Sequence, residues 1–292
     1  SGKTFQRLMN LILEGAESYC LSHVDDIVIF SQTWEDHMKH IRDVLQRLKD
    51  ANLTANRSKS QFAKNKIKIL GHVLEDGKIL PDPEKTKAIS EFPTPRTKKQ
   101  VKAFVGLANF YRSFVNNFAE IARPLTDLTR RDLPDKVQWE AQHELAFQQL
   151  KDSLCTGPVL IPPDPTRSYI LKSDACKNCI ASVLLQTNDA GEEHPVAYAS
   201  RKLLPNEVNH STVEHELLGI VWGLAHFEHY TYGADIEVRT DHYCLRWLNK
   251  MANQNPRLTR WALVSQRYNI DKVTYVPGKQ LGDADGLSRA DA

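Results

Sequence analysis

The chain has 292 residues, 38 Lys and Arg against 36 Asp and Glu, and a net charge of +2; 41% of it is hydrophobic and 25% charged, ordinary globular usage. This excludes disorder, collagen and coiled-coil rods, while no run of about 18 apolar residues supports a membrane span and Ser1-Gly2-Lys3 lacks a signal-peptide layout. Five scattered cysteines (Cys20, Cys155, Cys176, Cys179, Cys244) do not read as a disulfide framework and fit a reducing, intracellular setting. The near-neutral total argues against a strongly basic nucleic-acid binder, although a total can hide a distribution.

The first predicted element is a helix carrying Phe5, Leu8, Met9, Ile12 and Leu13 on one face and stopped at Gly15. Its abrupt start predicts a preceding N-terminal part. Two β-rich runs, Tyr19–Val24 and Ile27–Phe30, flank Asp25-Asp26 and predict a tight hairpin. Thr33 then caps a helix with Ile41, Val44, Leu45 and Leu48 inward. Ile67–Leu74 and Lys78–Leu80, joined through Glu75-Asp76-Gly77, predict a second hairpin. After a proline-punctuated stretch, the capping box Thr97-x-x-Gln100 starts a helix with Val101, Phe104, Ala108, Tyr111 and Val115. A further helix spans about Trp139 to Leu154. Pro158, Pro162, Pro163 and Pro165 mark a linker and a domain boundary near residue 166.

Beyond it, Tyr169–Ser173, Ile180–Gln186 and Val196–Ser200 read as antiparallel strands. Ser211-x-x-Glu214 caps a long helix, Ile236–Thr240 is a fourth strand, and helical segments follow at Leu245–Leu248 and Leu258–Ser265. Lys272–Val276 is a fifth strand, and a short helix holds Asp283 to Arg289. The order is that of an α/β layer architecture. Four of the five tryptophans, Trp139, Trp222, Trp247 and Trp261, read as core.

Four acids in this part sit at ends of elements: Asp174 closing the first strand, Glu216 early in the long helix, Asp241 closing the fourth strand and Asp285 on the last helix. Any one alone reads as a cap, turn or surface charge. Converging on one sheet edge, the four would repel unless divalent cations neutralise them, and hard oxygen ligands suit Mg²⁺ or Mn²⁺. Two such ions can activate water and stabilise the leaving oxygen of a phosphodiester. The spacing Cys176-x-x-Cys179 lacks a second pair for zinc. Five basic residues and no acid lie between Thr54 and His72, and eight basic against two acidic between Thr94 and Arg131, stripes that can track phosphates or be merely solvated. Lys98, Lys99, Lys102 and Arg112 are the candidate phosphate contacts.

A resemblance adds to this reading. Ser173-Asp174-Ala175, His194-Pro195-Val196-Ala197-Tyr198, Glu214-His215-Glu216-Leu217-Leu218, Arg239-Thr240-Asp241-His242 and Ala284-Asp285-Gly286-Leu287-Ser288-Arg289 are similar, in that order, to the ribonuclease H domain of gypsy-type long-terminal-repeat retrotransposon Pol polyproteins. Thr4-Phe5-Gln6-Arg7, His23-Val24-Asp25-Asp26, Leu70-Gly71-His72-Val73 and Phe104–Arg112 resemble palm, thumb and connection of the same polyprotein's reverse transcriptase. The resemblance implies an α+β and α/β multidomain chain: partial palm over 1–90, thumb and connection over 91–166, and over 167–292 a ribonuclease H-like domain with a five-stranded mixed sheet flanked by helices.

It further implies two-metal cleavage of RNA in RNA–DNA hybrids by Asp174, Glu216, Asp241 and Asp285, with Mg²⁺ or Mn²⁺ as cofactor. The small residue at Gly219 selects Glu216 over Glu214, which the capping box occupies; the Ala-Asp-small-Leu-Ser-Arg pattern selects Asp285 over Asp283. Asp25 and Asp26 become metal ligands of the palm, and RNA template, DNA primer and hybrid become partners, with dimers of Pol-derived chains and a cytoplasmic or virus-like-particle location. Two departures stand out: His23 replaces a tyrosine, and Cys176–Ala181 replaces a Gly-rich turn. Without the palm strand that carries a further metal-binding Asp, the expectation is that this chain alone does not polymerise DNA. The alternative is a non-catalytic nucleic-acid-binding relic, or an accessory subunit of a reverse-transcriptase dimer.

Overall fold

A computed structural model describes residues 2–157, 159–240 and 256–277. Asp241, Cys244, Trp247, Asp283 and Asp285, with the helices expected around 245–248 and 283–289, lie outside the described residues. The chain divides into two compact units between Asn65 and Lys66, so the expected limits at 90 and 166 both fall inside the second unit. Among the described residues no helix is long and apolar enough to cross a membrane.

The first unit holds α1 (Gly2–Ile12), the hairpin β1 (Cys20–His23) and β2 (Asp26–Ile29), and α2 (Trp34–Asp50). Met9, Leu13, Ala16, Cys20, Val44 and Leu48 form its core. Thr33 caps α2 by accepting from the Asp36 amide at 3.2 Å. Glu35 and Asp36 at the helix start and Arg47 and Lys49 at its end complement the helix dipole. Leu45 is 43% exposed, one step off the stripe that Val44 and Leu48 define.

The second unit begins as a meander of β3 (Lys66–Ile69), β4 (His72–Glu75) and β5 (Lys78–Pro81). The run Ile67–Leu74, expected as one strand, is broken at Leu70-Gly71, where φ is 49° and 78°. Asp76-Gly77 repeats the device at 48° and 71°. Two successive positive φ angles are what a tight two-residue hairpin needs. Gly71 is also required for space: a Cβ there would lie 2.9 Å from the Phe110 ring. The helices α3 (Pro83–Ser90), α4 (Lys98–Phe110), α5 (Phe118–Ile121), α6 (Arg123–Asp127) and α7 (Ala141–Cys155) follow.

The five strands read from the C-terminal sequence are all present: β6 (Tyr169–Ala175), β7 (Cys179–Thr187), β8 (Glu193–Lys202), β9 (Asp235–Thr240) and β10 (Asn269–Tyr275), joined by α8 (Thr212–His226), α9 (Glu228–Thr231) and α10 (Pro256–Ser265). They form one mixed sheet in the order β10-β9-β6-β7-β8. β6, β7 and β8 pair antiparallel, whereas β9 is parallel to both β6 and β10.

Helices cover both faces. Tyr169, Leu171, Ile180, Leu184, Ile236 and Val238 pack against Leu217, Ile220 and Leu224 of α8 and Trp261 of α10. Ile170, Val183, Leu185 and Tyr198 share a second core with Ile89, Val101, Phe104, Leu125, Phe147 and Leu150 from α3, α4, α6 and α7. The helices of 83–155 are therefore the second layer of the C-terminal sheet.

An ionic ladder crosses the sheet. Lys172 contacts Glu193 at 2.8 Å, Arg239 contacts both Glu193 and Glu237, and Glu237 accepts from Thr274 at 2.6 Å. Burial pushes the Glu193 carboxyl up, but Lys172 and Arg239 outweigh it and hold the group below its ordinary value of 4.5. A carboxyl depressed in the folded state stabilises above its unfolded value, and that contribution is lost as pH falls through the folded value. Urea unfolding at pH 7 and in steps below 4.5 is expected to show this acid loss, and Glu193→Gln to flatten it.

Candidate active site at the end of strand β6

Asp174 is the sixth residue of β6, opposite Ala181 in β7. Alternation along the strand turns Ser173 toward α8 and Asp174 to the other face, where it is exposed. There it lines a small cleft with Asn117, Glu120, Cys176, Cys179 and Ser200. Glu120 and Asn117 reach it because the Ala119 amide donates to Ser200 Oγ at 2.9 Å, across 81 positions of sequence.

Glu216 is buried near the start of α8. The helix begins at Ser211, whose Oγ accepts from the Glu214 amide at 3.3 Å while Glu214 accepts from the Ser211 amide at 2.9 Å. Burial raises the Glu214 carboxyl; the Ser211 hydrogen bonds and the Arg257 guanidinium, 3.0 Å away, outweigh it and hold the group low. Glu214 is thus a cap and an ion-pair partner.

Two glycines let α8 approach the sheet. A Cβ on Gly219 would lie 2.4 Å from Ser173 Oγ and 3.8 Å from the Asp174 carbonyl oxygen; one on Gly223 would lie 2.6 Å from Ser182 Oγ and 2.9 Å from its Cβ. Ser182 Oγ donates to the Gly219 carbonyl at 3.2 Å, locking the contact. Gly219 sits on the same face as Glu216, one turn later. Helix α8 therefore crosses the C-terminal end of β6 at Ser173, the residue before Asp174, with Glu216 one helical turn before the crossing point. That end lies beside the C-terminal end of β9, its parallel neighbour. Asp241 and Asp285 lie outside the described residues. Carboxylate oxygens are the donors a hard divalent cation takes, although no three His, Cys, Asp or Glu among the described residues form a cation-sized group.

The palm-like pair is placed differently from expectation in one respect. His23 pairs with Asp26, so the two-residue turn is Val24-Asp25 and Asp26 opens β2. Both acids are exposed. Val24 has φ of 50°, a costly conformation for a β-branched residue. Gln6 of α1 holds it: its Oε1 accepts from the Val24 amide and its Nε2 donates to the Ser22 carbonyl at 3.1 Å and Ser22 Oγ at 3.3 Å. Gln6→Ala is expected to strand the Val24 amide and destabilise the hairpin by about 1 kcal/mol. Hydrogen exchange at Val24 should then speed up roughly fivefold, with α2 unaffected.

Of the proposed phosphate contacts, Lys99 and Lys102 are exposed on α4. Lys98 donates to the carbonyls of Arg130 and Leu133. Arg112 is half-buried, donates to the Ser200 carbonyl and sits 5.7 Å from the Phe118 ring centroid, and burial lowers its pKa. Arg112 ties the segment before α5 to β8 instead of facing solvent.

Known proteins share these features. Residues 1–74 match the family described as reverse transcriptase (RNA-dependent DNA polymerase), and residues 139–238 the RNase H-like domain found in reverse transcriptase. The retrovirus-related Pol polyprotein from transposon 297 of Drosophila melanogaster is 37% identical over 98% of this chain, which covers 26% of it. That from transposon gypsy is 36% identical over 98% of this chain and is covered to 28%. The Tf2-3 polyprotein of Schizosaccharomyces pombe is 32% identical over the same 98%, with 22% of its length covered. The chain thus spans about a quarter of these relatives. A foamy viral protease-reverse transcriptase in complex with RNA/DNA hybrid has the same fold, with TM-score 0.80 and 23% identity over 96% of this chain and 38% of that one.

Proposed function

Because the chain belongs to the Pol polyproteins of long-terminal-repeat retrotransposons and carries their reverse transcriptase and RNase H-like sequences, we propose that residues 167–292 cleave the RNA strand of RNA–DNA hybrids. The observation that supports this is the close crossing of α8 over β6 at Gly219, where the helix meets Ser173 and the Asp174 backbone one turn after buried Glu216.

Asp174, Glu216, Asp241 and Asp285 would hold two Mg²⁺ or Mn²⁺ ions, which supply water activation and charge stabilisation at the phosphodiester. Asp174, open to solvent at the strand end, is the carboxylate a substrate phosphate meets. Glu216, fixed on a capped and tightly packed helix, is positioned before substrate arrives. Lys99 and Lys102 are the phosphate contacts we retain, with the hybrid's 2′-hydroxyls marking the strand to be cut. Asp25 and Asp26 supply two carboxylates of a polymerase palm, whose further ligand the described residues do not provide. We assign polymerisation to the longer polyprotein.

The full chain, given an end-labelled RNA–DNA hybrid and Mg²⁺, is expected to release RNA fragments and to stop on chelation. Hybrid binding without metal-dependent cleavage would overturn the enzymatic reading and leave the nucleic-acid-binding relic or accessory subunit.

A further inference from the structure

We propose that Cys176 and Cys179 form a reversible intramolecular disulfide, installed by a low-molecular-weight disulfide. The pair sits at the tip of the β6–β7 hairpin. The ladder runs Asp174↔Ala181, then Ala175↔Ile180, and the Cys176 amide donates to the Cys179 carbonyl at 2.9 Å, so 176 and 179 are the next opposed positions. Directly opposed antiparallel residues project from the same face with Cα atoms about 4.5–5.5 Å apart. That range falls within the roughly 4.4–6.8 Å a disulfide spans.

The turn is held in this form. The Leu203 amide donates to the Asn178 carbonyl at 2.8 Å, pinning the tip to the end of β8. The two thiols already interact with one another, and both are free. Their exposures differ usefully: Cys179 is buried at 3%, whereas Cys176 is partly open. Cys176 is therefore the sulfur an external reagent reaches, and Cys179 the one that resolves the adduct.

The chemistry balances as two exchanges. The Cys176 thiolate attacks one sulfur of RSSR, an S–S bond forms between them, and RS⁻ leaves. Cys179, losing its proton, attacks the Cys176 sulfur and displaces the second RS⁻. Two electrons pass from the protein to RSSR, and the two thiol protons end on two RSH. A ring closed over so few residues removes little chain entropy, so the bond is readily reduced and acts as a switch rather than a staple. Both cysteines line the cleft that contains Asp174, which places the switch beside the proposed nuclease carboxylate.

The test does not depend on nuclease activity. The 292-residue chain is incubated at low concentration with oxidised glutathione, free thiols are alkylated, and the protein is digested with trypsin and mapped by mass. Because Lys177 lies between the cysteines, the disulfide is read as a covalent link between peptide Ser173–Lys177 and peptide Asn178–Arg201. The expected result is that linked pair, loss of both alkylated cysteines, and full recovery of alkylation after dithiothreitol. The link should vanish in Cys176→Ser and persist in Cys155→Ser. A lasting glutathione adduct on Cys176 without the link, no reaction at either residue, or a link found only in covalent chain dimers would each overturn the proposal.

Discussion

Replacing Glu216 by glutamine is expected to lower Mg²⁺-dependent hybrid cleavage by roughly 10²–10³-fold while the chain stays folded. The substitution keeps the side chain's volume and length, so α8 can keep its packing on β6. What it removes is one negative charge from the proposed cation ligands. Metal stabilisation of the developing phosphate charge amounts to several kcal/mol, and losing about 3–4 kcal/mol of it corresponds to that drop in rate. Single-turnover kinetics at saturating hybrid, with circular dichroism as the folding control, separate chemistry from binding. Glu214→Gln is the informative contrast. That carboxylate caps α8 and pairs with Arg257, so its loss should lower stability more than it lowers cleavage. A Glu216→Gln protein that cleaves as fast as the parent would remove Glu216 from the site.

Gly223→Ala is expected to destabilise the second unit by about 2 kcal/mol. Two effects compete. Alanine in a helix interior is favoured over glycine by about 0.5–1 kcal/mol. Against that, the new methyl would meet Ser182 Oγ at 2.6 Å and Ser182 Cβ at 2.9 Å, with Leu171 Cδ1 at 3.4 Å behind them. A hydroxyl can rotate away, but a Cβ fixed to a central strand cannot, so overpacking of about 3 kcal/mol wins. Moving α8 outward also stretches the bond from Ser182 Oγ to the Gly219 carbonyl. At about 2–4 °C per kcal/mol for a domain of this size, the melting temperature should fall by roughly 4–8 °C. Gly219→Ala should be milder in stability, because its nearest obstacle is only the rotatable Ser173 hydroxyl. Its effect on cleavage should be larger, because the displaced Ser173 hydroxyl lies beside Asp174 and one turn from Glu216. An unchanged melting temperature for Gly223→Ala would mean that α8 is not seated on β7 this closely.

The five strands and the capped helix α8 were legible because β-rich runs bounded by turn residues, and a Ser-x-x-Glu cap, are local signals. The break at Leu70-Gly71 was not: an apolar run reads as one strand until φ is seen to turn positive at two successive residues. Arg112 reads as a phosphate contact because it lies in a stretch of eight basic against two acidic residues; its half-buried placement depends on Ser200, 88 positions away. By sequence Glu120 is one of the two acids in the basic stretch between Thr94 and Arg131, and only the distant Ala119–Ser200 bond brings it beside Asp174. For the acids themselves, pattern alone left each as a possible cap. Glu214 is one, and it was the order of motifs along the chain that singled out Asp174 and Glu216.

The shared core has a practical consequence for anyone cutting this chain into pieces. A fragment starting at residue 167 would keep all five strands but shed the helices of 83–155, baring Ile170, Val183, Leu185 and Tyr198 as one contiguous oily surface. Such a surface favours self-association over solubility. A piece that keeps both layers of this sheet therefore begins near Lys66, where the compact unit begins, and a protease acting at the Pro-rich stretch before residue 166 would nick the molecule without releasing its halves.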